Sequence, residues 1–296
     1  MTDLVRLSAG EASLAIAPEG AEAREWRIAG RDLLWSGDPA FWNQISPILF
    51  PVVGWTRDGA RVDGRFYPLR LHGFAAAQLF ALDKQEPAKA RFVLTDNDET
   101  RAVYPFAFRL AVEYSLTPTR LEIALEMENR GSGPAPYAFG LHPGFRWPFD
   151  GAGRDGCRVV FEKPESGDIP VLAPGGMVSP RRRPIPMKGN VLDLNDELFA
   201  KDALCFLSPA SRWLRFVGAS GAAIEMALGD FPHAALWMRP GAPFLCMEAW
   251  TGYSDPEGFA GDLFEKPAMR VVAPGEKQRC VAAYTYLPPS AAGASS

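Results

Sequence analysis

One carboxylate stands inside an apolar run near the C-terminus, Phe244-Leu245-Cys246-Met247-Glu248-Ala249-Trp250. The run predicts a buried strand, and the two-residue period of a strand places Glu248 and Trp250 on the same face. Ionised Glu is rarely buried without a partner, because its desolvation is costly. The pattern indicates either a catalytic or sugar-binding carboxylate at the wall of a cleft, or a structural Glu held by an arginine or by backbone amides.

Two of the three histidines occupy positions where sites are commonly built. His72 stands directly before Gly73 after a strand-like run, and His142 stands before Pro143-Gly144 at a strand end. A residue before proline is pushed toward extended backbone, and glycine permits a sharp turn. Rigid strand ends often carry functional side chains, although a turn histidine can equally hydrogen-bond nearby backbone. His233, next to a further predicted strand, is the third candidate.

Aromatic side chains are the second chemical signal, at 11% of the chain. Their ring faces, combined with convergent polar groups, suit a neutral polyhydroxylated ligand such as a sugar, whose C–H face packs on a ring. Core packing is the competing role for each of them. The candidates are Trp42, Phe145, Trp147, Trp237, Trp250 and Tyr253.

Several other catalytic signatures are absent from the sequence. There is no GxSxG nucleophile motif, no P-loop and no GxGxxG after a strand, which argues against serine-hydrolase and nucleotide chemistry. The four cysteines are widely spaced without a CxxC pair, so we expect reduced thiols in an intracellular protein. His72, His142 and Glu248 lie far apart with no local metal-ligand pattern, and no metal site is predicted.

Short strands joined by turns must position these groups, because strand patterns dominate the chain. Residues 108–116 and 121–127 alternate between apolar and polar around Thr117-Pro118-Thr119, which predicts an antiparallel hairpin with one wet face. The 28 glycines and 27 prolines lie scattered between the strand patterns, as many tight turns require. Further strands are predicted at 13–17, 23–28, 91–94, 158–161, 213–217, 222–227, 234–238 and 281–287.

The expected fold is all-β, with few short helices. We predict a large sandwich of two antiparallel sheets, formed by a single domain over residues 1–287. A short helix is predicted at 195–203, capped by Asn195 or Asp196. The Pro-, Gly- and Arg-rich stretch 171–189 is expected to be a long surface loop. The tail 288–296, rich in Pro, Ala, Gly and Ser, is expected to be disordered.

Composition and charge exclude further classes of protein. With 47% hydrophobic and 22% charged residues, the chain is typical of a soluble globular protein. Its net charge of -4 gives no broad attraction to nucleic acid or to an anionic membrane. The sequence shows neither a signal-peptide pattern nor a membrane-spanning apolar stretch, so a cytoplasmic location is expected. The basic run Arg181-Arg182-Arg183 is expected to be solvated loop charge, with a phosphate contact as the alternative.

Several short motifs follow one another along nearly the whole chain. They are Phe41-Trp42-Asn43, SPILFPVVG at 46–54, DGRFYPL at 63–69, His72-Gly73-Phe74, GLHPGF at 140–145, Leu198-Phe199 with Asp202-Ala203-Leu204, EAWTGYSD at 248–255, and Ala273-Pro274-Gly275-Glu276. Each motif is weak alone. The ordered set resembles the aldose 1-epimerase (galactose mutarotase-like) family, most closely its LacX-type branch.

The resemblance implies a galactose mutarotase-like supersandwich that interconverts the α and β anomers of a free aldose, without a metal or an organic cofactor. The family's two histidines correspond to His72 and His142, and its catalytic glutamate corresponds to Glu248. Opening the sugar ring requires a base and an acid, each within about 2.6–3.2 Å of its target. Glu248 would be the base, with His142 as the acid on the opposite side of C1 and His72 near the ring oxygen.

The substrate-binding positions implied by the resemblance are less direct. The family's arginine has its nearest counterpart in Arg57, although Trp55 stands where an arginine often follows the glycine. The family's sugar-binding aspartate has no clear counterpart. Trp250, Phe145 and His233 complete the predicted substrate-binding set.

Three alternatives to a free-sugar epimerase stay open at this point. A non-catalytic carbohydrate-binding or sensing protein on the same fold would bind sugar without exchanging anomers. A hexose-phosphate epimerase would need a cationic clamp, for which 181–183 is the candidate. A glycoside hydrolase would need a second carboxylate beside Glu248, and Asp255 is the nearest in sequence. The expected partner is a small-molecule aldose, and the chain is expected to be a monomer or a homodimer.

Overall fold

Strands form most of the protein. A computed structural model describes residues 3–289, and over that range it contains twenty-five β-strands, one α-helix and two 3-10 helices. The first strands are β1 Val5–Ala9, β2 Ala12–Ala17, β3 Glu22–Ile28, β4 Arg31–Asp32, β5 Ile48–Leu49, β6 Ala60–Val62, β7 Arg65–Tyr67, β8 Ala81–Glu86 and β9 Lys89–Thr95. The middle strands are β10 Phe108–Leu116, β11 Arg120–Asn129, β12 Ala135–Tyr137, β13 Gly140–Leu141, β14 Gly144–Arg146, β15 Arg158–Phe161, β16 Asp168–Ala173, β17 Met177–Pro184 and β18 Val191–Asp193. The last strands are β19 Leu204–Leu207, β20 Trp213–Val217, β21 Ala223–Ala227, β22 His233–Trp237, β23 Phe244–Trp250, β24 Arg270–Val272 and β25 Lys277–Leu287. The helices are α1 Asp98–Val103 and the 3-10 turns Ala75–Ala77 and Asp196–Phe199.

Two large antiparallel sheets organise these strands. Nine strands follow the order β18-β15-β20-β21-β25-β11-β10-β9-β8. Six strands form the second sheet, in the order β19-β22-β23-β13-β5, with β14 also pairing with β23. A four-stranded sheet, β1-β2-β3-β4, and three two-stranded ribbons complete the described fold.

The two large sheets pack against each other through buried aromatic and aliphatic side chains. Tyr284 of β25 donates its hydroxyl hydrogen to the backbone oxygen of Met247 in β23, at 3.1 Å. The Tyr284 ring lies 5.3 Å from the ring of Phe145, between centroids. Burial of this apolar layer is the main force that holds the sheets together. The predicted all-β sandwich is therefore confirmed.

The strand predictions agree with the structure to within a few residues. β10 and β11 form the predicted hairpin. The largest difference is β25, which begins at Lys277, four residues before the predicted start at 281. Lys277 and Arg279 lie at the solvent side and form ion pairs with Glu128 and Glu113. Cross-strand charge pairing thus extends the strand beyond its apolar pattern.

The stretch 171–189 is not the long surface loop that its composition suggested. β16 and β17 form a hairpin there, and their turn carries Gly175 and Gly176 at φ values of 83° and 76°. Prolines are compatible with a two-stranded ribbon, because each strand has one edge that needs no hydrogen-bonded neighbour. Buried Ile169 and Ser179 hold the ribbon against the protein.

The helix predicted at 195–203 is shorter than expected. It is the single 3-10 turn Asp196–Phe199. Asn195 is its cap, as predicted, and accepts a hydrogen bond from the backbone N–H of Leu198 at 3.1 Å. Asp202 has a φ of 84°, which is incompatible with a helix and ends the turn before it.

The described residues also bear on the predictions about membranes, cysteines and the tail. Over residues 3–289, no helix combines the length and the hydropathy needed to cross a membrane. All four cysteines are buried and unpaired. Most of the predicted disordered tail, residues 290–296, lies outside the described residues.

Candidate active site

A cavity of about 270 Å³ lies over the six-stranded sheet. Its volume is close to the lower end of the range for small-molecule sites. Its polar lining residues are Gln44, His72, His142, Asp202, Glu248 and Ser254. Its aromatic lining residues are Trp42, Trp55, Trp237, Trp250 and Tyr253.

Strand register brings Glu248 and His142 together. β23 pairs with β13 through Gly140 and with β14 through Gly144. The same register places His142, in the gap between those two strands, directly opposite Glu248. The carboxylate Oε2 of Glu248 lies 3.2 Å from Nε2 of His142. Both side chains are buried, with 1% and 8% of the residue exposed.

The Glu248 carboxylate is held by a tryptophan on its own strand. Trp250 donates its indole N–H to Oε2 of Glu248 at 3.0 Å, as expected for two residues on one strand face. Burial raises the pKa of Glu248, the Trp250 hydrogen bond lowers it, and the nearby carboxylate of Asp202 raises it further. Burial dominates, so the pKa of Glu248 lies well above the usual range. A raised pKa makes the ionised carboxylate a stronger base.

His72 is fixed in one tautomer by the backbone around it. Its own φ is 61°, and a Cβ on the following Gly73 would lie 2.2 Å from the backbone oxygen of Phe50. The Gly54 N–H donates to Nδ1 of His72 at 3.0 Å, so the neutral ring carries its proton on Nε2. Burial lowers the pKa of His72 to about 4. His72 is therefore an uncharged N–H donor near neutral pH.

His142 contacts both His72 and the aromatic wall. The rings of His72 and His142 lie 5.6 Å apart at 87°, and the Trp42 ring lies 5.0 Å from His142. Burial lowers the pKa of His142, and His72 lowers it further. No described residue bonds its buried Nδ1. A histidine with a low pKa in contact with a carboxyl of high pKa forms a coupled pair that can pass one proton between its members.

A buried ion pair supports the turn that orients His72. Nζ of Lys266 lies 2.6 Å from Oδ1 of Asp255, and 1% and 5% of these side chains are exposed. The other oxygen of Asp255 accepts the backbone N–H of Arg57 at 2.7 Å. Burial lowers the pKa of Lys266, and Asp255 opposes that effect. Asp255 is thus engaged in holding the turn after Gly54, and it does not line the cavity.

The predicted substrate-binding residues occupy different regions. Trp250 lines the cavity. The Arg57 side chain is 47% exposed and lies 3.8 Å from Asp58, outside the cavity lining. Phe145 is fully buried, because it pairs with Leu245 on the sheet face opposite to Glu248. The structure therefore brings neither Arg57 nor Phe145 to the cavity.

His233 lies beside the cavity lining, in the same sheet as Trp250. It pairs with Trp250 across β22 and β23, and its ring lies 5.2 Å from that of Tyr253. Its Nδ1 accepts the backbone N–H of Ser208 at 3.0 Å. Burial lowers the pKa of His233 to about 4. In this position His233 supports Tyr253 and does not itself line the cavity.

Three polar lining residues had no predicted role, namely Gln44, Asp202 and Ser254. Asp202 lines the cavity, and its Oδ1 accepts the N–H of Ala203 at 2.7 Å. Its presence in a motif with Ala203 and Leu204 was the available signal. Gln44 carried no signal in the sequence. Its loop is fixed by Glu22, which accepts the two following backbone N–H groups at 2.8 Å each.

One group of side chains has the spacing of a metal site. His142, Cys246 and Glu248 each place a donor atom within 4.8 Å of the others. Burial raises the pKa of the Cys246 thiol, which keeps it protonated, and a protonated thiol is a poor metal ligand. The absence of a metal from the mechanism accordingly stays a prediction, which a chelator can test.

The basic run 181–183 lies on β17 and outside the cavity lining. Nε of Arg182 lies 3.1 Å from Oδ2 of Asp168, and Nε of Arg181 donates to Oγ of Ser179 at 3.3 Å. Among the residues of 3–289 that line the cavity, none is Lys or Arg. The cavity therefore has no cationic clamp for a phosphate.

The match to a known family includes the part of the chain that carries Glu248, His142 and His72. A family model described as aldose 1-epimerase matches residues 3–260. The chromosomal LacX protein of Lactococcus lactis subsp. lactis is 30% identical over 257 residues, covering 83% of this chain and 86% of LacX. Glu248, His142 and His72 all fall within the family match.

Solved structures share the fold. A galactose mutarotase related enzyme from Lactobacillus acidophilus superposes with a TM-score of 0.87 at 25% identity, covering 97% of this chain and 98% of that one. A galactose mutarotase-like protein from Lactobacillus casei ATCC 334 also gives a TM-score of 0.87 at 25% identity, covering 96% and 99%. The supersandwich expected from the sequence is therefore confirmed.

Proposed function

We propose that this chain, which belongs to the aldose 1-epimerase family, interconverts the α and β anomers of an aldose. The observation that carries the proposal is the 3.2 Å contact between the buried Glu248 and His142, in a cavity that also contains the neutral His72. Anomer exchange needs one proton removed from the C1 hydroxyl and another delivered to the ring oxygen. These three side chains can supply both transfers.

Glu248 takes the proton of the C1 hydroxyl, and His142 gives a proton to the ring oxygen while it takes one from Glu248 across their 3.2 Å contact. The neutral imidazole and the carboxylate are both restored. The ring opens, the C1–C2 bond rotates, and the two transfers run in reverse as the ring closes. Since Glu248 and His142 are in contact, C1 lies in front of the pair and not between its members, in contrast to the opposite-side arrangement expected from the sequence. His72 donates its Nε2–H to the ring oxygen or a neighbouring hydroxyl. Each proton transfer contributes about 10²–10⁴ in rate.

The cavity lining favours an uncharged sugar. Aromatic rings form its walls, and Gln44 and Asp202 provide partners for hydroxyl groups. A phosphate next to the reacting carbon would meet carboxylates and aromatic rings without a cation. We propose that the protein acts in the cytoplasm, as a monomer or a homodimer.

Polarimetry on freshly dissolved aldoses tests the proposal. Wild-type protein should accelerate the change in rotation of α-D-glucose, α-D-galactose or another aldose above the rate in buffer. Glu248→Gln and His142→Asn should each lower kcat/KM by about 10²–10⁴. Glu86→Gln is the matched control, because Glu86 is exposed on the edge strand β8. Sugar binding by calorimetry without any acceleration would contradict the enzyme and favour a non-catalytic binding protein.

A further inference from the structure

The buried ion pair of Lys266 and Asp255 lies outside the cavity lining. Its side chains are 1% and 5% exposed, and Nζ of Lys266 lies 2.6 Å from Oδ1 of Asp255. A buried ion pair adds little net stability compared with an apolar pair of similar size, because both charges lose their hydration. What this pair contributes is therefore better sought in the groups that it holds.

The pair holds a turn of backbone beside the cavity. The backbone oxygen of Trp55 accepts the N–H of Asp255 at 2.9 Å and lies 3.4 Å from Nζ of Lys266. The Trp55 N–H donates to Oγ of Ser254 at 3.0 Å. The N–H of Arg57 donates to Oδ2 of Asp255 at 2.7 Å. The turn is thus fixed on one side by Ser254, Asp255 and Lys266.

The same turn holds His72 on its other side. The N–H of Gly54 donates to Nδ1 of His72 at 3.0 Å. The backbone oxygen of Gly54 accepts the backbone N–H of His72 at 2.9 Å. These two bonds tie both the ring and the backbone of His72 to the turn. A continuous series of hydrogen bonds therefore runs from Lys266 through Asp255 and the turn to a side chain that lines the cavity.

We propose that Asp255 and Lys266 are positioning residues for anomer exchange. Lys266 holds Asp255, and Asp255 holds the turn through the N–H of Arg57. The turn keeps the Gly54 N–H on Nδ1 of His72, so His72 presents its Nε2–H to the sugar. A neutral histidine without a donor at Nδ1 can carry its proton on either nitrogen. This inference rests on the proposed function and assigns it two residues outside the cavity.

Two double variants with the same charge test the inference. Lys266→Met/Asp255→Leu removes the ion pair and the acceptor for the Arg57 N–H. Lys266→Met/Asp255→Asn also removes the ion pair but keeps an amide oxygen as that acceptor. The Leu variant should lower kcat by about 10- to 100-fold, because a small misplacement of a positioned group has effects of that size. The Asn variant should recover most of the lost kcat.

An exposed ion pair of the same residue types provides the control. Nζ of Lys188 lies 2.7 Å from Oδ2 of Asp193, and these side chains are 74% and 57% exposed. Lys188→Met/Asp193→Leu should leave kcat unchanged, because neither residue contacts the turn that holds His72.

The tautomer of His72 is a readout that a purely structural role would not move. ¹⁵N NMR near neutral pH distinguishes the two tautomers, and the His72 signals are those that disappear in His72→Asn. The proton should be on Nε2 in the wild type and the Asn variant, whereas the Leu variant should also populate the tautomer protonated on Nδ1. His233 is the internal reference, since its Nδ1 accepts the Ser208 N–H at 3.0 Å and its tautomer should not change.

Gly54→Ala displaces the same turn without altering the ion pair. A Cβ on Gly54 would lie 2.1 Å from Oγ of Ser254, so the turn must shift. This variant should show the same change of His72 tautomer and a similar loss of kcat. It tests the inference even where Lys266→Met/Asp255→Leu does not fold.

Three results would overturn the inference. They are equal kcat in the Leu and Asn double variants, wild-type kcat in Gly54→Ala, and a loss of kcat in both displaced-turn variants without any change in the His72 tautomer. Each of them requires that the wild type exchanges anomers, so each contradicts this inference alone. Failure of the wild type to exchange any sugar contradicts the proposed function instead.

Discussion

The hydrogen bond from Trp250 to Glu248 should set the acid limb of the pH–rate profile. The bond is 3.0 Å long, and both residues are buried. A hydrogen bond to a charged acceptor contributes about 1.5–3 kcal/mol, so its loss in Trp250→Phe should reduce the ionised fraction of Glu248 by about 10- to 100-fold at an acidic pH. Glu248 works as a carboxylate, and activity is lost as the pH falls through its pKa.

The environment of Glu248 decides in which direction the acid limb moves in Trp250→Phe. Burial already raises the pKa of Glu248, and the Trp250 bond opposes that increase, so removing the bond raises the pKa further. The acid limb of kcat/KM should therefore move to higher pH, while the rate at alkaline pH returns toward that of the wild type. Polarimetric rates from pH 4 to 9 measure this profile. An unchanged limb, or a limb moved to lower pH, would refute the reasoning.

Trp237→Phe is the matched control for that experiment. Trp237 lines the same cavity. The indole N–H that donates to the Glu248 carboxylate belongs to Trp250, so replacing Trp237 leaves that hydrogen bond in place. The control should alter KM through lost contact with the sugar and leave the position of the acid limb unchanged. A uniform loss of rate in Trp250→Phe, without movement of the limb, would mean that Trp250 acts only by contact with the sugar.

Three further predictions concern stability and metals. Burial raises the pKa of Glu248 above its value in the unfolded chain, so ionisation of Glu248 lowers the stability of the fold as the pH rises through the folded-state pKa. In urea unfolding at pH 8, Glu248→Gln should therefore be at least as stable as the wild type. A clear loss of stability in that variant would contradict this. Lys266→Met leaves the buried Asp255 carboxylate without its partner and should cost about 3–5 kcal/mol of unfolding free energy, most of which Asp255→Leu in the same chain should restore. Dialysis against EDTA should leave kcat/KM unchanged, since the thiol beside Glu248 is kept protonated by burial; activity lost on dialysis and restored by Zn²⁺ would assign a metal to the mechanism.

Local patterns in the sequence predicted much of the sheet and one part of the site. Alternation within β23 was sufficient to place Glu248 and Trp250 on one face, and the structure shows the hydrogen bond between them. The contact between Glu248 and His142 could not be predicted from local pattern. It depends on how β23 pairs with β13 and β14, and these strands lie about a hundred residues away in the chain. Only the family resemblance predicted that Glu248 and His142 belong to the same site.

Position relative to a motif predicted the substrate-binding residues less well. Arg57 follows the Pro51–Gly54 motif closely in sequence, but its backbone N–H is held by Asp255 and its side chain is 47% exposed. Phe145 is in the motif with His142, yet strand alternation places it in the core. Side-chain direction after a turn depends on long-range contacts, which spacing does not encode. The hairpin at 171–189 was missed for a related reason, since its proline and glycine content resembles that of a loop.

The central claim is that a catalytic proton transfer occurs at Glu248, and equilibrium exchange NMR tests it most directly. A sugar labelled with ¹³C at C1 gives separate signals for its α and β anomers, and catalysis connects them by exchange cross-peaks without any net reaction. We predict cross-peaks with wild-type protein that grow with its concentration and vanish in Glu248→Gln, although that variant still binds the sugar. Binding without cross-peaks in the wild type, or equal exchange in both proteins, would contradict the claim.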